Sequence, residues 1–524
     1  MTEKIIKNMK LILAAVSVMT FAVAVFSTLT YGQANIHSDT AMASFLVRSQ
    51  LKHFSLIPKT WNYANGDIIF LDNNLTILPF EIMMKNMPLA RMLGSAFIMI
   101  LAAVSLIIFD KKMIRSGFSF ISIPVIFTFL FGGNYYLMWG NDFMNYQACI
   151  TIWLIMIPVM TGLACHLFIN RNRSIPLYVF FFLLSVLLYA RGLRAIAEVF
   201  LPLLGALIIF LYFEKKADKG IMLFIVPSLI GCICFKILSS TRTVHFSEVG
   251  GTKFVGGLDA VFANFLKVFQ NIFDIFGFNR DVELTSVKGL ANMAAFFMCL
   301  AFCFVIPVFQ YAAYKKETKE VRFFLIFVLL HNLEMVTSTV FFDKTFPSHI
   351  FTFVLMQILV SSHYILGHIF EKDRFLTTAA FAALCLIMSL QLLLAGRGWQ
   401  GRLSEKRQLT QILVEHGLDK CKGYGGFWDI YPLGIYSDMK LDVAAIGNSD
   451  IGVSLTPYRW LVDSDEYIPQ DCGSYLFFNW NVNEELGGEV EKIYGECTEK
   501  FSIGENFVYV WDYDICVNEF GGRK

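Results

Sequence analysis

Charge is what this chain has least of. Of its 524 residues only 16% are Asp, Glu, Lys or Arg, and only 13 are proline. Soluble domains average about 25% charged and about 45–50% apolar residues, whereas here 56% are hydrophobic and 53 residues are phenylalanine. That balance excludes an ordinary soluble protein and leaves a membrane protein. The formal net charge is +1, and the absence of a basic tail removes nucleic acid as a partner. No CxxC…CxxC spacing occurs among the eleven cysteines, so no cysteine-based zinc site is expected. Cys149, Cys165, Cys232, Cys234, Cys299, Cys303 and Cys385 lie in apolar runs, where a thiol serves as a small hydrophobe. Cys421, Cys472, Cys497 and Cys516 fall in the polar tail, where an oxidising compartment would permit two disulfides of undetermined pairing. A GxxxxGK[ST] phosphate loop is absent, as are an internal repeat and a compact acidic cluster. The expected cofactor set is therefore none, with a divalent metal left open.

What is present is a series of apolar runs. Eleven segments read as membrane spans: 10–31, 89–109, 118–138, 148–169, 175–190, 195–213, 221–238, 291–314, 322–342, 348–370 and 375–395. Most approach the roughly 20 residues needed to cross about 30 Å of hydrocarbon, 175–190 being short. The first run is too long for a signal-peptide core and reads as a retained helix. One alternate set of short connections (1–10, 110–117, 170–174, 214–220, 315–322 and 371–374) is basic throughout, so it is assigned to the cytoplasm. That places the N-terminus inside and the C-terminal tail outside, in an integral cell membrane protein. The predicted organisation is a transmembrane domain over 1–395 with long outer loops at 32–88 and 239–290, followed by an extracytoplasmic soluble domain over 396–524. The fold class is mainly α: a polytopic helix bundle of about 11 spans with a small α/β domain at the C-terminus. In that tail, 403–420 reads as an amphipathic helix. KGYGGFWDIYPLGIYSD (422–438) reads as a strand start followed by a short helix, and 440–447, 474–480 and 506–515 read as strands.

The non-membrane mass is concentrated on the outer face, and the candidate site residues lie there. In HSDTA, Asp39 follows the first span. From this point apolar residues recur at helical spacing (Met42, Phe45, Leu46), which predicts a short amphipathic helix lying on the membrane. Ser38 would cap it, and the helix dipole would favour an ionised Asp39 in the first turn. Such a carboxylate is either a base at the membrane surface or a simple cap. His37 precedes it, and Asp142 in the next outer loop flanks a span on the same face. Arg191 and Arg194 break the positive-inside pattern and sit one helical turn apart. They read equally as a snorkelling pair or as a guanidinium clamp for phosphate. Arg242 and His245 in the fourth outer loop can assist a phosphate. Val261–Phe278, aromatic at helical spacing, predicts a second interfacial helix. His331 and Glu334 sit one turn apart in an apolar helix and read as a buried hydrogen-bonded pair.

With these features in place, the chain resembles the GT-C superfamily of polytopic glycosyltransferases, which take sugar from a polyprenyl-phosphate or polyprenyl-diphosphate donor. The resemblance rests on Asp39 in HSDTA after the first span, on the eleven spans, and on the outer soluble domain. It rests also on GYGGFWDIYPLGIYSD with the later Pro457, Trp460 and Leu461, and on RGLRAIAEVFLPL (191–203). It implies that Asp39 is the catalytic base for the acceptor hydroxyl, with inversion at the anomeric carbon, and that Arg191 and Arg194 hold the donor phosphate. The implied partners are a lipid-linked sugar donor, a glycan, lipid or protein acceptor, and membrane lipid. Two departures stand out. Asp39 is followed by Thr40 rather than by a second acid, and WWDYG is absent, Trp511-Asp512-Tyr513 being preceded by Val510. A flippase or exporter of lipid-linked glycans, and a non-catalytic envelope assembly protein, are the alternatives.

Overall fold

In the computed structural model, the residues described run from 2 to 515, apart from 37, 65, 69–71, 131–147, 173, 215–220, 242–243, 247–253, 279–281, 284, 343–346, 370–373, 450–451, 479–489 and 493. Among them, seven helices are long and apolar enough to cross a membrane: Leu11–Ala34, Met87–Ile114, Leu193–Phe213, Ile221–Ser240, Gly289–Ala312, Lys319–Phe341 and Ile350–Gly367. Four shorter apolar helices, Ser119–Leu130, Trp153–Ile169, Ile175–Tyr189 and Leu376–Leu390, fall on the remaining predicted runs. Each of the eleven runs thus carries a helix, in an integral membrane protein. Local sequence sets several starts. Thr318 and Ser286 accept hydrogen bonds from the backbone N–H groups of Val321 and Gly289, which satisfies donors a helix N-terminus leaves open.

The chain divides into two compact units, one of Met1–Thr30, Ala96–Leu238 and Gly251–Gly396, the other of Tyr31–Ser95, Ser239–Gly250 and Arg397–Lys524. Among the described residues the first is built of helices around one apolar core that includes Trp153, Phe181, Phe224, Phe327 and Phe351. A Cβ on Gly231 would lie 2.8 Å from the carbonyl oxygen of Val186, so glycine is what lets those two backbones approach. Leu183, Ile208, Ile233 and Leu333 remain exposed on the helices, side chains that hydrocarbon rather than water covers. Val261–Phe278 is largely the helix Leu258–Ile275, which turns Asn264, Val268 and Asn271 inward and leaves Phe262 and Leu266 exposed.

The second unit is built on a six-stranded sheet in the order β5-β4-β3-β7-β9-β8. Its strands are β3 (Lys422–Gly426), β4 (Asp442–Ser449), β5 (Gly452–Pro457), β7 (Ser474–Phe478), β8 (Glu499–Ile503) and β9 (Asn506–Trp511). Strand β3 is parallel to β4 and β7, and the outer pairs are antiparallel. A parallel neighbour requires a crossover, and the Phe427–Tyr436 helix supplies it between β3 and β4. The predicted tail strands are therefore present. A second, three-stranded sheet joins β1 (Trp61–Tyr63) to β2 (His245–Phe246) and β6 (Val462–Asp463). Trp511 ends β9 with its indole N–H donated to the carbonyl of Gly495.

Two expectations change. The predicted amphipathic helix at 403–420 is the end of one continuous helix, Arg374–Glu415. The helix carrying Asp39, α2 (Ser38–His53, after α1 Thr2–Tyr31), does not bury one apolar face alone: Ser38–Met42, Ser44–Val47, Ser49 and Gln50 are all buried. Polar serines are buried along with the apolar face because α2 packs against both the Phe427–Tyr436 helix and α3 (Asn73–Met84). At Gly434 an added Cβ would sit 2.7 Å from the Phe45 ring, and that glycine sets the approach of the two helices.

Candidate active site

Asp39 occupies the first turn of α2 and is 5% exposed. The segment before it is held by the tail. Tyr436 donates its hydroxyl to the Gln33 carbonyl at 2.6 Å, Arg407 donates to the Gln33 side-chain oxygen at 2.6 Å, and Lys406 reaches the Ile36 carbonyl at 3.4 Å. Immediately before Asp39, Ser38 donates its hydroxyl to the carbonyl of Phe427. Immediately after it, the Thr40 carbonyl accepts from Arg91, a guanidinium only 2% exposed in α4 (Met87–Phe109). Both neighbours of Asp39 are thereby fixed, which is the preorganisation a catalytic carboxylate needs.

Aromatic rings from the tail surround this turn. Phe427 lies 4.9 Å from Tyr458, 5.4 Å from Trp460 and 5.1 Å from Trp428, centroid to centroid. Phe45 of α2 meets Tyr431 edge-on at 4.7 Å. Partial burial, with the Asp39 carboxylate adding to it, raises the Tyr458 phenol above its usual range, so the carboxylate and this ring share one environment. The two tail motifs singled out in the sequence, GYGGFWDIYP and Pro457…Trp460-Leu461, converge on Asp39.

At its other end α2 borders a polar cavity of about 180 Å³ lined by Arg48, Lys52, Lys422, Asp442, Asp463 and Glu466, among others. Lys422 bonds Asp442 at 3.0 Å and Arg48 reaches the same carboxylate at 3.2 Å. Burial works against ionisation of Asp442, but those two cations hold it below the usual carboxylate range. Burial likewise opposes ionisation of Asp463, and hydrogen bonds from Ser49, Thr60 and the Asp465 backbone N–H outweigh it. Burial pushes Glu466 up to about 8, with Lys422 opposing and Asp442 adding to the rise. His53 lies 3.4 Å from Asp463 and 3.5 Å from Asp465, but Ser49 at 2.5 Å and Lys52 at 3.0 Å already bond these carboxylates. The group forms an ion-paired network tying α2 to the turn after β6.

The remaining sequence candidates are placed as follows. Arg191 is 1% exposed with its guanidinium 5.4 Å from the Trp153 ring centre, a cation–π contact. Arg194 is ion-paired to Glu198 at 2.5 Å across one helical turn. His331 is fully buried and its Nδ1 lies 2.7 Å from the Glu198 backbone oxygen, so it pairs with that carbonyl rather than with Glu334 as the sequence spacing suggests. His245 is exposed in β2, opposite Asn62. His37, Asp142 and Arg242 lie outside the described residues, as does Cys516. Cys421, Cys472 and Cys497 are free thiols. Sequence reading missed Arg91. Its signal is a lone arginine three residues into an apolar run, at the same end of the span as the Asp39 loop.

No family model matches the sequence, and neither does any curated protein. The three-dimensional comparison decides the fold. ArnT from Cupriavidus metallidurans in the apo state superposes with a TM-score of 0.58 at 12% identity, over 95% of this chain and 97% of that one. The structure of ArnT bound to undecaprenyl phosphate superposes with a TM-score of 0.54 at 12% identity, over 97% and 99% of the two chains. The chain has the GT-C fold. Since the match spans nearly the whole of both chains, this fold takes in the apolar helices and the tail alike.

Proposed function

We propose that this protein is a membrane glycosyltransferase that moves a sugar from a polyprenyl-phosphate-linked donor to an acceptor at the outer face of the membrane. The reading is supported by the fold shared with ArnT, a protein crystallised with undecaprenyl phosphate. The observation that carries it is Asp39 itself, a buried carboxylate whose flanking residues are pinned by Phe427 and Arg91. A merely capping aspartate has no need of that much support.

In the proposed reaction the acceptor hydroxyl attacks the anomeric carbon of the donor and Asp39 takes the hydroxyl proton. The new C–O bond forms as the bond to the phosphate oxygen breaks, and the polyprenyl phosphate leaves with the electron pair. A single displacement of this kind inverts the anomeric centre. General-base assistance of this type contributes about 10²–10⁴-fold. Cations stabilise the charge that develops on the leaving phosphate, the role proposed for Arg191 and Arg194 with Arg242 and His245. His37 and Asp142 are proposed as supporting groups. The C-terminal region is extracytoplasmic in this reading, and the N-terminus cytoplasmic.

Mass spectrometry of surface glycans and lipid-linked intermediates in cells lacking the protein tests the proposal. Donor that accumulates while one sugar is missing from the product supports transfer. Donor trapped on the inner leaflet indicates a flippase and rejects it.

A further inference from the structure

The rings beside Asp39 have the chemistry of a ligand surface rather than that of a core. Phe427 is buried and anchors the group, but Trp428 is 55% exposed, Tyr458 and Trp460 are half-buried, and Arg459 between them is exposed. The rings present different orientations, with Phe427 and Trp428 at 86° and Tyr458 and Trp460 at 82°. The Trp460 indole N–H has no hydrogen-bond partner among the described residues, although a buried indole N–H ordinarily finds one. The residues that follow β5 supply two of these rings, and the crossover from β3 supplies the other two. Packing of the sheet itself does not require Trp428, Tyr458 or Trp460 to reach the surface.

We infer that Phe427, Trp428, Tyr458 and Trp460, with Asp39 and Arg459 beside them, form a subsite that binds a sugar ring of the acceptor. The inference rests on the glycosyltransferase reading and extends it by naming the acceptor as a carbohydrate. A pyranose or furanose has an apolar face of C–H groups that lies flat on an aromatic ring, and a rim of hydroxyls. Convergent polar groups such as a carboxylate, a guanidinium and an indole N–H orient that rim. An acyl chain would have no use for Asp39 and Arg459, and a membrane-interface belt of Trp and Tyr would not need to converge on a buried carboxylate.

Saturation-transfer NMR on the full-length protein in phosphatidylethanolamine–phosphatidylglycerol nanodiscs provides the test. The probes are methyl glycosides of glucose, galactose, mannose, N-acetylglucosamine, glucuronic acid and arabinofuranose. At least one is expected to receive saturation on its ring C–H protons, with its dissociation constant at least fivefold weaker in Trp428→Ala and in Trp460→Ala. Thermal midpoints of the variants establish that they are folded. Trp460→Phe, which keeps a ring and removes the N–H, is expected to fall between the parent protein and Trp460→Ala. Absence of saturation for every glycoside, equal saturation in both alanine variants, or saturation confined to lipid protons would overturn the inference. None of those results bears on transfer itself, which is judged separately by the glycan analysis of cells.

Discussion

Ser38 donates its hydroxyl to the backbone carbonyl of Phe427, 389 residues further along the chain. This bond places the helix turn that carries Asp39 on the crossover between β3 and β4, beside the rings of Tyr458 and Trp460. The base assignment and the tail motifs, separate in the sequence, become one arrangement through it.

Gly434 should be the position where this arrangement is easiest to break. A valine there pushes a methyl group into Phe45, since even a Cβ would lie 2.7 Å from its ring. Overpacking of a filled contact costs about 1–3 kcal/mol. Gly434→Val is expected to lower the thermal midpoint and the transfer activity together, and Phe45→Leu in the same chain to restore part of both.

Glu466 predicts a pH dependence. Its folded-state pKa, about 8, lies above that of the unfolded chain, because burial disfavours the charge and the nearby Asp442 and Asp463 carboxylates add to the rise, against Lys422 and Arg48. Raised in this way, the carboxyl contributes stability that is fully present below the unfolded pKa near 4.5 and is lost as pH rises toward 8. Asp442 and Asp463, both held below the usual range, act in the opposite direction and only at lower pH. Unfolding midpoints measured from pH 5 to 8 are therefore expected to fall more steeply in the parent protein than in Glu466→Gln.

Arg194 and Glu198 form an ion pair at 2.5 Å with both side chains largely shielded. Removing one partner strands the other. A double-mutant cycle of Arg194→Ala and Glu198→Gln is expected to show about 0.5–3 kcal/mol of coupling in unfolding measurements. Full additivity would mean that the pair contributes no coupling energy to the fold.

Much of this fold was legible because hydrocarbon imposes a length and an apolarity on a span: all eleven runs carry apolar helices, and among the described residues seven of these are long enough to cross. The tail strands were legible for a similar reason, since SYLFFNW and NFVYVW carry the aromatic and β-branched residues that sheets favour. The environment of α2 was not legible. Met42, Phe45 and Leu46 make a one-sided apolar pattern, whereas the burial of Ser44, Ser49 and Gln50 is decided by partners hundreds of residues away. The pairing of Trp61 with Asp463 across the three-stranded sheet is hidden for the same reason. Arg91 was overlooked because a single cation at the edge of an apolar run reads as an interfacial anchor. Only the contact with Thr40 gives it a place beside Asp39.

Asp39→Asn is the most direct measurement. The variant keeps the volume and hydrogen-bonding shape of the side chain and removes the base, so it is expected to insert and fold at the parent level. Expressed in cells lacking the parent protein, it is expected to lower the transferred sugar in surface glycans by about 10²-fold or more, with lipid-linked donor accumulating. Surface glycan at the parent level, made by a variant present in the membrane in equal amount, would contradict the assignment of Asp39 as the base.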